Sequence, residues 1–558
     1  MNDQITAHIA TATHTLFAVQ PTVELSRPDA RFGDVASNVA MQLASTLQRP
    51  PRDIAEQLAE ALRQQPLFAE VTIAGPGFIN IRLADGFIAE QLEQPVTVPN
   101  IYAGKKVVAE YSDPNPFKAL HAGHLYTTLV GDVIARLHEV AGATVHRINF
   151  GGDVGLHVAR AMWGIMQTIG GEQPEKLAAI PVDERANWIS NCYVLGNNAY
   201  GSDETSKAEI IAINKRVYQL FTDNDHESAF AHIYWTCRQW SYDGFEALYT
   251  RLGVHPFERY LPESETTPIG VAIAERALAE GVLEKSGDAV IYKGEDHGLH
   301  TRVFINSEGI PTYETKDLGL AATKWRDYKF DKNIIITAND IVEYMKVVIS
   351  VLAHFYPEVA ERTVHLTHGL IKLPGGVKMS SRLGNALMAN DVLEAAFTAG
   401  RALRSSADTD EQVIIGAIKY SFLKQKIGAD IVYDPADSVS LEGNSGPYLQ
   451  YAHARAKSIL SKVTTTSQQA TTYEPAERLL ALKLTEYETT LQHAVAEMLP
   501  HYICTYLYEL TQAFNRFYEQ SRVVGDPREA ERGALVKRYA ATLQHGLNLL
   551  GIIAPDAL

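Results

Sequence analysis

Cysteine is scarce in this 558-residue sequence, with three in all. So few thiols exclude a disulfide-stapled scaffold and fit a reducing compartment. No stretch approaches the ~20 apolar residues that a membrane span needs. The opening Met1-Asn2-Asp3-Gln4 lacks the basic and apolar regions of a secretory signal. A soluble, cytoplasmic chain is the expectation. Positive charge is sparse as well: the net charge is −16 and no lysine precedes Lys105. Residues 1–100 carry six Lys+Arg against eleven Asp+Glu, and residues 401–558 sixteen against eighteen. That balance excludes a general nucleic-acid coat. Any phosphate contact has to come from a local patch assembled by the fold. Internal repeats are also missing. What is present is an ordinary globular composition, 46% apolar and 21% charged, in a chain long enough for about three to five domains.

Three regions follow from periodicity. Residues 1–100 read as a small α+β domain. Ile54, Ala55, Leu58 and Leu62 have helical spacing, while 70–73 and 78–83 alternate as strands around a Gly75-Pro76-Gly77 turn. Residues 101–395 read as a doubly wound α/β domain with a parallel sheet. One βαβ unit comprises strand 107–111, helix 125–140 stopped at Gly142, and strand 144–149. A second comprises strand 333–337, helix 342–354 and strand 364–366, and a mostly helical insertion separates the two. Residues 396–558 read as an all-α bundle. In it Leu499, Ile503, Tyr506, Leu507, Leu510, Phe514 and Phe517 form one amphipathic helix, and 464–472 is a polar loop.

Two segments carry chemistry. The first, Ser112-Asp113-Pro114-Asn115-Pro116-Phe117-Lys118-Ala119-Leu120-His121-Ala122-Gly123-His124, runs from the carboxyl end of a parallel strand to the start of a helix. Ligands of open α/β sheets bind there, and the helix N-terminus favours anions. Two imidazoles three residues apart, with Lys118 and Gly123, suit a triphosphate whose charge grows as pyrophosphate leaves. The spacing alone also fits a pair of capping histidines. Zinc is a poorer fit, because Cys192, Cys237 and Cys504 are scattered. The second segment is Lys378-Met379-Ser380-Ser381-Arg382-Leu383-Gly384-Asn385, preceded by Gly375-Gly376. It is a basic, hydroxyl-rich loop able to close over phosphates.

Taken together, these segments resemble the HIGH and KMSKS signatures of class I aminoacyl-tRNA synthetases, and within that class the arginyl-tRNA synthetase family. The run at 112–124 is similar to S-x-P-N-x-x-K-x-x-H-x-G-H, and 379–385 to M-S-S-R-x-G-N. Tyr313-Glu314-Thr315-Lys316-Asp317-Leu318 resembles Y-x-T-R-D-L, and Gly152-Asp153-Val154-Gly155 resembles G-D-W-G with Val154 for the tryptophan. Segments 32–34, 75–80, 442–452 and 514–519 resemble the family's outer domains.

The resemblance implies ATP and Mg²⁺ as cosubstrate and cofactor, L-arginine and tRNA(Arg) as partners, and a monomer. It also implies that tRNA binds before arginine is activated. His121 and His124 would bind ATP and stabilise adenylyl transfer, with Gly123 beneath them. Lys378, Met379, Ser380 and Ser381 would hold the phosphates, and Lys118 would supply the charge that Ser381 lacks. A guanidinium is planar and always charged, so carboxylates in fork geometry select it. By resemblance Glu263 and Asp317 grip it, Tyr313 packs on it, and Ser112, Asn115 and His124 orient the amino-acid end. Asp340 stands where the family often has glutamine. It reads as a third pocket acid or as a helix N-cap. Tyr448, Tyr451, Tyr506 and Tyr518 are candidates to stack on anticodon bases, and residues 1–100 would touch the tRNA elbow. The rival readings are a synthetase of the same class for another amino acid, a nucleotidylyltransferase sharing a His-x-Gly-His loop, and a non-catalytic tRNA-binding relative.

Overall fold

The structure is a computed structural model. It describes residues 1–96, 98, 100–372, 374, 387–403, 411–464 and 470–558. At its centre five strands run parallel: β1 (Lys106–Glu110), β2 (Thr144–Gly151), β3 (Arg259–Pro262), β4 (Lys332–Ala338) and β5 (Thr363–His368). Their spatial order is β5-β4-β1-β2-β3. The order therefore reverses between β1 and β4, and the crevice beyond their carboxyl ends is the switch point where such sheets bind ligands. Both expected βαβ units are present. Helix α1 (Ala122–Val140) links β1 to β2, α2 (Leu156–Ile169) follows β2, and α5 (Val342–Phe355) follows β4.

Between the two units the insertion is mostly helical, as expected, and it also contributes β3 to the central sheet and an antiparallel sheet of 284–286, 289–292 and 302–305. The four residues of β3 end on Pro262 and are too short to show alternation. Residues 284–286 are exposed throughout, so they carry no apolar signal.

Helix α3 (Glu263–Ala279) starts directly at the end of β3, and α4 (Tyr313–Tyr328) leads into β4. These two helices meet backbone to backbone. A Cβ at Gly270 would lie 1.9 Å from the Thr315 carbonyl oxygen, and one at Gly319 would lie 2.0 Å from that of Thr266. No side chain fits between them. The contact brings the first residue of α3, Glu263, against the first turn of α4.

The N-terminal domain packs helices Asn2–Phe17, Val39–Leu47, Pro51–Arg63 and Asp85–Glu93 on a four-stranded antiparallel sheet. Pro51 suits the first helical position because its missing N–H has no partner there anyway. Ile54, Leu58 and Leu62 are fully buried, each contributing roughly 1.5–3 kcal/mol. The C-terminal region is helical among the described residues, apart from Ile431–Val432, which pairs with Ile371–Lys372. The helix His501–Gln520 buries the apolar stripe read from the sequence. Residues 465–469 of the expected polar loop lie outside the described residues.

One guanidinium staples the two outer domains. Arg478 donates two hydrogen bonds of 2.8 Å to Asp34, one of 2.9 Å to Asp85 and one of 2.8 Å to the Leu83 carbonyl. The 32–34 motif therefore supplies an interdomain anchor.

Gly319→Ala is expected to destabilise the chain by roughly 1–3 kcal/mol, as overpacking of a closed contact does. Urea denaturation checks this, with an unchanged midpoint as the contrary result.

Candidate active site

The loop from β1 to α1 lies in the switch-point crevice. Three of its non-glycine residues sit in the left-handed region: Ser112 at φ 75°, Asp113 at 50° and Phe117 at 66°. Each costs of order 1–3 kcal/mol and persists only where its surroundings fix it. Ser112 is fixed by Tyr249 and Thr128, both 2.7 Å from its Oγ. Asp113 accepts the Phe150 N–H at 2.8 Å, and Phe117 is fully buried with its N–H on Ser241.

His121 is the N-cap of α1, and His124 closes a reciprocal capping box. Each Nδ1 accepts the other residue's backbone N–H at 3.3 Å, and the rings stack 3.7 Å apart. Burial, with Lys118 close by, lowers His121 to about 4. Burial and His121 push His124 well below the ordinary imidazole range. Both rings are neutral at pH 7. With Nδ1 accepting, the proton resides on Nε2, so each ring offers an Nε2–H donor at a positive helix end. The capping reading and the phosphate reading of His-x-x-His are thus compatible: the pair caps the helix through Nδ1, and Nε2 makes no hydrogen bond with the described residues. Gly123 lies under the His121 ring, where a Cβ would be 2.9 Å from it. Lys118 extends over the Tyr193 ring at 4.7 Å.

Lys378, Met379, Ser380 and Ser381 lie outside the described residues. The described segment after them is tied to the histidine loop: Ala122 N–H donates to Leu387 O and Ala389 N–H to Leu120 O, each at 2.8 Å. The chain just beyond the second signature therefore meets the first signature in the fold.

Acidic groups crowd the other half of the crevice. Glu110 pairs with Lys324. Asp153 pairs with Arg238 at 3.1 Å and accepts the backbone N–H and hydroxyl of Ser264. Glu263 pairs with Lys316 at 2.5 Å. Asp317 has no such cation among the described residues; its partner is the Tyr344 hydroxyl. Burial, with Glu110 and Glu263 nearby, raises Asp317 to about 7 although Tyr344 pulls it down. Asp113 is likewise pushed well above the usual carboxylate range by burial and Glu110. Five carboxyls thus share three cations. Tyr313 opens the first turn of α4, 59% exposed, on a cavity of about 400 Å³ that Tyr218, Asn306 and Lys316 also line. Asn115 Oδ1 accepts the Gly152 N–H at 2.7 Å.

Several sequence expectations move. Asp340 is exposed in a 3₁₀ turn and makes no capping bond, because Ile341 is the residue that precedes α5. Its charge acts on His121 and His368, so it stands near the histidine half of the crevice. The Ser112 hydroxyl is buried and already engaged. Tyr506 is 3% exposed, stacks on Tyr487 at 5.1 Å and belongs to the bundle core. Its place in the apolar stripe outweighs its hydroxyl. Tyr448 is half-buried and bonded to Asn515. Tyr451 and Tyr518 are 43% and 44% exposed, and share the Arg455 guanidinium between their rings at 4.9 and 5.8 Å. Lys316, Tyr344, Asp153 and His368 were not singled out from sequence. Lys316 and Asp153 lie inside quoted motifs, whereas Tyr344 and His368 reach the crevice only through the sheet topology.

Comparison with known proteins agrees with this architecture. The N-terminal domain of arginyl-tRNA synthetase matches residues 1–83. The catalytic domain of class I tRNA synthetases of the arginine type matches 88–434, and a DALR anticodon-binding domain matches 449–558. The arginine--tRNA ligase of Frankia casuarinae is 31% identical, over 94% of this chain and 93% of that one. That of Synechocystis is 30% identical, over 100% and 99%. The fold matches the Thermus thermophilus arginyl-tRNA synthetase with a TM-score of 0.80 and 24% identity, across all of both chains. Among the described residues no helix is long and apolar enough to cross a membrane. With a matching catalytic domain over more than half its length, the chain belongs to the arginyl-tRNA synthetase family of class I aminoacyl-tRNA synthetases.

Proposed function

We propose that this chain is an arginine--tRNA ligase: it condenses L-arginine with ATP to arginyl-adenylate, releases pyrophosphate, and passes the arginyl group to the 3′-terminal adenosine of tRNA(Arg). The observation that carries the amino-acid assignment is Asp317, a half-buried carboxyl with no cation of its own among the described residues, beside the Glu263–Lys316 pair and the exposed face of Tyr313. A guanidinium brings the missing charge and forked donors, and its plane stacks on the tyrosine. Asn115 and His124 would orient the amino and carboxylate end.

Adenylyl transfer would proceed at the other half of the crevice. The α-carboxylate of arginine attacks the α-phosphorus of ATP, the bond from that phosphorus to the α,β-bridging oxygen breaks, and the β- and γ-phosphates leave together as pyrophosphate. The Nε2–H donors of His121 and His124 meet charge developing on the phosphates without carrying charge themselves, and the α1 N-terminus adds its dipole. Lys118 and Lys378 would neutralise the leaving pyrophosphate, with Met379, Ser380 and Ser381 in the same loop. Mg²⁺ would enter as the ATP complex.

The three segments would divide the labour. Residues 1–100 would contact the body of the tRNA, 101–395 would carry the chemistry, and 396–558 would hold the anticodon stem-loop. Tyr451 and Tyr518, exposed on either side of Arg455, offer two stacking faces and a cation. The reading takes the chain as a cytoplasmic monomer.

ATP–pyrophosphate exchange with each of the twenty amino acids, with and without tRNA, tests the assignment. Exchange with arginine alone supports it, and exchange with another amino acid overturns it. In the same assay His124→Ala should lower the rate about 10²–10³-fold, as loss of one transition-state donor does, with tRNA affinity retained. A parallel loss of both would point to misfolding.

Arginine binding should depend on pH with a defined sign. The guanidinium needs Asp317 ionised, and Asp317 titrates at about 7. The arginine KM should therefore rise about tenfold for each pH unit below 7 and level off above it. Asp317→Asn should bind arginine weakly at all pH values and lose that limb. A flat wild-type profile between pH 6 and 8 would remove Asp317 from the pocket.

Tyr451→Ala and Tyr518→Ala should each raise the tRNA Kd about five- to a hundredfold, equivalent to roughly 1–3 kcal/mol of base stacking. Tyr506→Ala should instead lower the unfolding midpoint. Filter binding and thermal melting distinguish the two classes.

A further inference from the structure

The Glu263–Lys316 pair is more than a structural ion pair. Both side chains are almost fully buried, at 3% and 6% exposure. Burying two charges is expensive, and well-packed apolar residues usually stabilise such a position as well or better. The pair is also asymmetric. Lys316 Nζ holds Oε2 at 2.5 Å, while Oε1 accepts no hydrogen bond from the described residues. Oε1 instead faces Gly152, 3.0 Å from where a Cβ there would stand, on the side where Asn115 Oδ1 also converges. The ammonium is held in turn over the Tyr313 ring at 5.1 Å.

We propose that Lys316 is a positioning residue for arginine selection: it holds Glu263 through Oε2 as a carboxylate, leaving Oε1 turned outward for the guanidinium of the substrate. The proposal deepens the arginine reading and rests on Glu263 as a ligand. Without Lys316, Glu263 would face the like charges of Asp153 and Asp317. The remaining groups around it, Tyr218, Tyr313, Tyr344 and His157, are neutral at pH 7. Burial already raises Glu263, and Lys316 is the main influence that draws it back. A lone carboxyl there would take a proton and offer the guanidinium a neutral acid. Lys316 therefore gives Glu263 the direct ion pair that no described residue gives Asp317.

Calorimetric titration of the full chain with arginine, in buffers of different ionisation heat, tests this. At pH 6 the wild type should release about one proton on binding, from Asp317. Lys316→Met should bind about tenfold or more weakly and release about two, because Glu263 must now also lose a proton. Lys316→Arg should restore affinity and the single proton. Wild-type affinity in Lys316→Met, or weaker binding with the proton count unchanged, would overturn the proposal. Glu263→Gln separates the two levels. If it binds arginine like the wild type, Glu263 is not a ligand and both readings fall. If it binds weakly while Lys316→Met does not, only the role of Lys316 falls. Thermal melting of each variant monitors folding.

Discussion

The closed contact between α3 and α4 is the constraint on which the site depends. Gly270 and Gly319 let two helix backbones touch with no side chain between them. Glu263 begins the one helix, Tyr313 and Lys316 occupy the first turn of the other, and Asp317 follows directly. Any side chain at the contact would separate these groups. The carboxyl cluster is thus a consequence of helix packing, set by two residues that carry no chemistry. β3 matters for the same reason, since it delivers Glu263 to the carboxyl edge of the sheet.

The two halves of the crevice solve opposite electrostatic problems. On the α1 side an anion must be held without cations so tight that pyrophosphate cannot leave. Neutral histidines meet that need: their Nδ1 atoms are committed to backbone N–H groups, which orients each Nε2–H and fixes the tautomer. The strained loop before them is held by buried hydroxyls and by the Leu387–Ala389 segment, so the donors are aimed before substrate arrives. On the α4 side a cation must be held, and unmatched carboxyl charge does that work.

The sequence made some of this legible. A β-strand leading into the Ser112–Asn115 loop, and histidines at 121 and 124 opening a helix, located the crevice, because strand–loop–helix order dictates where a parallel sheet binds ligands. The amphipathic stripe of 499–517 located the C-terminal bundle. Other features were hidden for physical reasons. β3 is four residues long and ends in proline. Tyr344 reaches Asp317 only because β4 lies beside β1. Tyr506 and Tyr518 look alike in sequence, yet one faces the core and the other solvent, since their separation places them on different sides of one helix. Asp340 sits in a 3₁₀ turn after β4, where a capping acid and a pocket acid read alike in sequence. The 1–100 domain showed its hairpin but not its first helix, whose mixed face carries little periodic signal.

Charge matching explains why the pocket has the composition it does. Were every carboxyl paired, as Glu110, Asp153 and Glu263 are, the crevice would be electrically satisfied and would gain little from an arginine side chain. Were none paired, mutual repulsion and burial would protonate most of them, and the pocket would again be neutral. The observed arrangement lies between these limits. Three internal cations pair with three of the acids, and Asp317 is left with a tyrosine hydroxyl and an ionisation near neutrality. On the proposed reading, a guanidinium bound there would supply the charge that one acid lacks. Selectivity and pH sensitivity would then have a common origin: the carboxyl that would gain most from arginine is the one that, without it, most readily takes up a proton.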